Sequence, residues 1–108
     1  MAKKITETIE RFKQSLEEMG IEVKKIIIFG SYATRRARKH SDIDVVVISD
    51  DFKEMNLLKR LETIGLALAK AKIMEPIEAL GYTEEEYNSE REGTFIGDEV
   101  KSKGVVVI

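Results

Sequence analysis

Gly30-Ser31-Tyr32-Ala33-Thr34-Arg35-Arg36-Ala37-Arg38-Lys39-His40-Ser41-Asp42-Ile43-Asp44 joins two apolar runs, Ile26-Ile27-Ile28-Phe29 before it and Val45-Val46-Val47-Ile48 after it. Each run has the length and β-branched content of a buried strand. The first run stops at a glycine and a serine, and the second begins with two aspartates one residue apart. Residues i and i+2 of a strand share a face, so Asp42 and Asp44 project together. They point toward whatever lies above Gly30-Ser31, and a site for metal and phosphate is the reading this arrangement supports.

Working outward, Ile5, Ile9, Phe12, Leu16 and Met19 recur at helical spacing among charged residues, which predicts an amphipathic helix over 4–19 closed by Gly20. A strand follows over Val23–Phe29. The basic stretch from Tyr32 to His40 has room for about two helical turns, and Asp42–Ser49 forms the second strand. Asp51 with Glu54 makes a capping-box pattern ahead of Leu57, Leu58, Leu61, Ile64 and Leu68. That predicts a long helix to about Ala71 with the leucine stripe in the core. A third strand is expected from Ile73 to Leu80, with Pro76 confined to an edge or bulge. Thr83 and Glu86 repeat the capping-box signature of a short helix. Gly93–Ser102 is expected to add a last helical segment, and Gly104–Ile108 a small strand or docked tail. The fold class is α/β or α+β, a small mixed sheet backed by helices on one face, in a single domain spanning 1–108.

Composition narrows the function classes. The chain is 43% hydrophobic and 35% charged, the latter well above the usual ~25%, yet its net charge is only -2. Bulk attraction to nucleic acid or to a membrane surface is not indicated. With no cysteine and one histidine, His40, thiolate and multi-histidine metal sites are excluded. The amino terminus lacks an apolar signal region, and no apolar stretch approaches the ~18 residues of a membrane span, so the expected location is the cytoplasm.

Two neighbouring carboxylates repel unless cations sit beside them. Hard oxygen ligands suit Mg²⁺ or Mn²⁺, and Mg²⁺ completes its shell with water and substrate phosphates. Gly30 permits close approach of a phosphate chain, and the Ser31 hydroxyl can donate to it. The basic residues Arg35, Arg36, Arg38 and Lys39 read most simply as a solvated face; Arg36 is the one singled out as a contact for triphosphate.

Gly30-Ser31, ten intervening residues and Asp42-Ile43-Asp44 before an apolar strand resemble the signature of the DNA polymerase β-like nucleotidyltransferase superfamily. The small size resembles, more narrowly, the minimal nucleotidyltransferases, which commonly partner HEPN-domain toxins as antitoxins. Ile73-Met74-Glu75-Pro76-Ile77 and Thr83-Glu84-Glu85-Glu86-Tyr87 are similar to that family's third strand and following helix. The resemblance implies a palm-like nucleotidyltransferase fold in which Gly30 and Ser31 hold the nucleotide, to which the reading of the basic stretch adds Arg36. It implies that Asp42, Asp44 and a third acidic residue bind two Mg²⁺ ions and carry catalysis. Glu75 is taken as that third residue; Glu78 is the alternative, although odd spacing puts it on the opposite strand face from Glu75 unless Pro76 marks a bulge. The activity implied is transfer of AMP from ATP to a hydroxyl, a tyrosine of a partner HEPN toxin. The partners expected are therefore a nucleoside triphosphate and the toxin, with a homodimer also open to the exposed sheet edge and no membrane or direct nucleic-acid binding. Two other readings stand beside it: a catalytically degenerate antitoxin acting by contact, and a nucleotidyltransferase for a small-molecule acceptor. From the residues that follow Asp44, no second substrate-gripping domain is expected.

Overall fold

The computed structural model describes residues 3–30, 42–89, 100 and 104–108. Its elements are helix α1 (Lys3–Glu18), strands β1 (Lys25–Phe29) and β2 (Ile43–Ile48), a 3₁₀ turn at Asp50–Phe52, helix α2 (Leu57–Lys70), strand β3 (Ile77–Tyr82), helix α3 (Glu84–Ser89) and strand β4 (Val105–Val106). The strands form one mixed sheet in the order β3-β2-β1-β4. β1 runs antiparallel to both β2 and β4, and β2 runs parallel to β3. This is the expected small mixed sheet.

The two apolar runs occupy the middle of the sheet because they are buried on both faces. On one face Ile26, Ile28, Ile43, Val45 and Val47 pack against Ile5, Ile9, Phe12 and Leu16 of α1 and Ile64 and Ala67 of α2. The two helices are also joined directly, the buried Ser15 hydroxyl donating to the Ala67 carbonyl at 2.7 Å. On the other face Ile27, Phe29, Val46 and Ile48 form a smaller cluster with Val100, covered in part by Leu80, Tyr82 and Tyr87. Gly20 ends α1 at φ +89°, the left-handed conformation expected of it.

Three sequence expectations are revised. Asp51 does not start the long helix, since its carboxylate accepts from the Glu22 amide at 2.7 Å. Ser49 instead caps the 3₁₀ turn, and Asn56 caps α2 by accepting from the Lys59 amide at 2.8 Å. β3 starts four residues later than expected, because Pro76 has no amide to contribute; its carbonyl accepts from the Ile43 amide at 2.8 Å and opens the ladder. The stripe of α2 is core only in part: Ile64 is buried and Leu68 packs against the core, whereas Leu57, Leu58 and Leu61 are exposed and Thr63 and Ala67 are buried beside Ile64.

The capping box at Thr83 and Glu86 is present in both directions, Glu86 amide to Thr83 hydroxyl at 3.1 Å and Thr83 amide to Glu86 carboxylate at 2.9 Å. The same carboxylate takes a two-pronged bond from Arg60 at 2.6 and 3.0 Å, tying α3 to α2. The expected turns over Tyr32–His40 lie outside the described residues, as does the segment Gly93–Ser102 apart from Val100. Among the described residues no helix is long and apolar enough to cross a membrane.

Asn56→Ala removes the side-chain acceptor at the start of α2. It should lower stability by about 1 kcal/mol, read as a reduced urea midpoint with an unchanged slope.

Candidate functional site

The site grows out of strand register. Phe29, the last residue of β1, pairs with Asp44, and Asp44 in turn pairs with Glu78 on β3. Side chains opposite one another in register share a face. Asp44 and Glu78 therefore stand side by side on the sheet face that α1 and α2 leave open, with Asp42 two residues before Asp44 on the same face. Val46, Ile48, Ile27 and Phe29 lie on the same face and are buried in the smaller cluster.

Asp42 and Glu78 are exposed and Asp44 is half-buried. Partial burial raises the pKa of Asp44 above its ordinary value; the charges of Glu78 and Asp42 and a hydrogen bond to the Glu78 carboxyl push in the same direction. Crowded negative charge of this kind favours a cation beside it.

Gly30 abuts the same group. Its φ is +72°, and a Cβ built there would lie 2.5 Å from Asp44 Oδ2. Only glycine leaves room for the carboxylate at the place where the chain leaves β1. The turn and the aspartate pair are thereby brought together at Gly30 and Asp44. Ser31 and Arg36 lie outside the described residues.

The structure places the two candidates for the third acidic position differently. Glu75 precedes β3, and its Oε2 is buried with no hydrogen-bond partner among the described residues. Glu78 is the residue that the register sets against Asp44. Among the described residues no three acidic or histidine side chains form a ready-made metal cage. The donor set nonetheless fits a hard divalent cation, which takes one or two carboxylates and fills its other positions with water and phosphate oxygens. The like-charge crowding at Asp44 is the structural observation behind that fit.

A cleft of about 570 Å³ opens at the acids, lined by Phe29, Asp44, Leu61, Glu78, Ala79 and Leu80. Sequence reasoning missed Leu61 here because its helical spacing reads as core.

Two substitutions test this geometry. Gly30→Ala should lower stability by ~1–3 kcal/mol, through its positive φ and its contact with Asp44, as measured by urea unfolding. A carboxyl whose folded pKa is raised binds its proton more tightly in the folded state. Its contribution is therefore fully present below the ordinary aspartate pKa and lost as pH rises through the raised value. Asp44→Asn should accordingly stabilise the metal-free protein near neutral pH, with the gain shrinking toward acid, in thermal melts across the pH range.

The sequence profile of the nucleotidyltransferase domain matches residues 9–105. A candidate protein adenylyltransferase of Methanocaldococcus jannaschii is 40% identical over 58 residues, which are 54% of this chain and 56% of that protein. The chain thus spans a little over half the length of the curated relative it matches. A crystal structure of a candidate nucleotidyltransferase from Sulfolobus solfataricus superposes with a TM-score of 0.68 at 19% identity, covering 95% of this chain and 78% of that one. A chain of a toxin–antitoxin complex crystallised with AMP-PNP superposes with a TM-score of 0.61 at 21% identity, covering 92% and 71% of the two chains. The two superpositions bear on the fold.

Proposed function

The chain belongs to the nucleotidyltransferase domain family, and from that premise we propose that it transfers AMP from ATP to a protein hydroxyl. The acceptor in this reading is a tyrosine of a HEPN-domain toxin, so the protein acts as a cytoplasmic antitoxin. One observation carries the reading: Asp44 stands between Gly30, Asp42 and Glu78 on the open face of the sheet. The name of the curated adenylyltransferase relative and the toxin–antitoxin origin of one structural neighbour support the choice of acceptor.

Asp42, Asp44 and Glu78 are the residues that would hold Mg²⁺, with Glu75 retained as the alternative third ligand. Two such ions supply Lewis-acid stabilisation of charge on the α-phosphate and on the leaving pyrophosphate. The residues of the chain bind, orient and move a proton. Gly30 leaves the backbone open for the triphosphate, assisted by Ser31 and Arg36. Glu78, set beside Asp44 by the strand register, receives the hydroxyl proton as the acceptor oxygen attacks the α-phosphorus. The new O–P bond forms as the bond to the bridging oxygen breaks, and pyrophosphate departs with its electron pair. Few side chains are required, because positioning and electrostatics supply most of the acceleration.

Incubation with α-labelled ATP, Mg²⁺ and the product of the neighbouring reading frame should label that product on tyrosine. Asp44→Ala should lower the rate by at least ~10³-fold, the scale of removing one charge-stabilising group. Labelling that survives Asp44→Ala overturns the reading. Failure of Mg·ATP to raise the melting temperature at millimolar concentration, where a micromolar ligand adds about 4 kcal/mol, favours an antitoxin acting by contact alone.

A further inference from the structure

Leu61 is 43% exposed on α2, although the helix has a buried face available at Ile64 and Ala67. Single exposed leucines are ordinary, but Leu61 does not face open solvent alone. It lines the same cleft as Asp44 and Glu78, with Phe29 and Leu80 as the other large apolar walls. Leu66, 50% exposed on the same helix, does not line that cleft.

The cleft is therefore divided in polarity. One end carries the carboxyl groups of Asp44 and Glu78; the rest of the wall, among the described residues, is Phe29, Leu61, Ala79 and Leu80. A polyol or an amino sugar would leave its hydroxyl groups against apolar wall, where each unmade hydrogen bond costs free energy. A serine hydroxyl would reach the acids but leave the apolar wall uncovered. A phenol fits both parts, its ring against Leu61, Phe29 and Leu80 and its acidic O–H toward the carboxylates. About 570 Å³ is ample for one such ring and the phosphoryl group it attacks.

We propose that Leu61 is a specificity-determining residue that selects an aromatic hydroxyl over an aliphatic one as the acceptor. The proposal rests on the transferase reading above and deepens it by assigning acceptor choice to a residue of α2. In the step it governs, the phenol oxygen bonds to the α-phosphorus as the bond to the bridging oxygen breaks, pyrophosphate leaves with that electron pair, and the phenol proton passes to the Glu78 carboxylate.

The test uses the full chain with α-labelled ATP and Mg²⁺, and N-acetyl-tyrosinamide or N-acetyl-serinamide as acceptor. Pyrophosphate release is followed in parallel. The wild type should favour the tyrosine amide by at least ~10-fold in kcat/KM, the scale of one apolar pocket contact. Leu61→Ser should erase most of that preference through the KM for the tyrosine amide, with kcat and the melting temperature little changed. Leu61→Met should retain the preference, and Leu66→Ser should leave it intact. Equal use of the two amides by the wild type, an unchanged preference in Leu61→Ser, or an equal loss in Leu66→Ser overturns the proposal. Pyrophosphate release without labelling of either amide overturns it as well, while leaving the transferase reading standing. Absence of pyrophosphate release under every condition removes the transferase reading itself, and the proposal with it.

Discussion

The parallel register between β2 and β3 is the constraint on which the site depends. It pairs Ile43 with Ile77 and Val45 with Ala79 on the helix-covered face, so that Asp44 and Glu78 must meet on the other. A slip of one residue would bury Glu78 under α2 and turn Ile77 and Ala79 outward. The apolar cost of that slip is what holds two mutually repelling carboxyl groups together. The hydrophobic core is therefore also the device that concentrates negative charge, while burial first and the neighbouring charges of Glu78 and Asp42 second raise the pKa of Asp44.

Around that constraint the other elements take supporting parts. β1 delivers Gly30 to Asp44 because Phe29 pairs with Asp44 at the end of the antiparallel ladder. β4 closes the far edge of β1, leaving β3 as the edge strand on the site's side. Arg60 lies 5.9 Å over the Phe52 ring while gripping Glu86, and so braces the crossing from α2 to α3 beside that edge. The Arg60 bond, more than any other influence, holds the Glu86 carboxyl below the usual range.

Much of this was legible in the chain before any coordinates. Ile26–Phe29 and Val45–Ile48 announce central strands because apolar β-branched runs of that length have few other uses. The i, i+2 spacing places Asp42 and Asp44 together whatever the rest of the fold does. Glu78 was harder, because parity is informative only once the strand's first residue is known. Pro76 reads as a residue within the strand, yet it stands just before β3. The exposed leucines of α2 were illegible for a related reason: Leu57, Leu58 and Leu61 satisfy a helical period, but period does not state which face the sheet will cover. Glu86 sits within the Thr83 pattern, yet its bond to Arg60 spans 26 residues and no local rule reaches it.

The central claim is that register selects Glu78 as the partner of Asp44 in holding a divalent cation. Electron paramagnetic resonance of Mn²⁺, titrated with a non-hydrolysable ATP analogue present, measures this directly. Glu78→Gln should weaken Mn²⁺ binding by about tenfold or more, the scale of losing a group that supports a metal site, while Glu75→Gln leaves it near wild type. Loss of the bound ion in Glu75→Gln with full retention in Glu78→Gln would contradict the account.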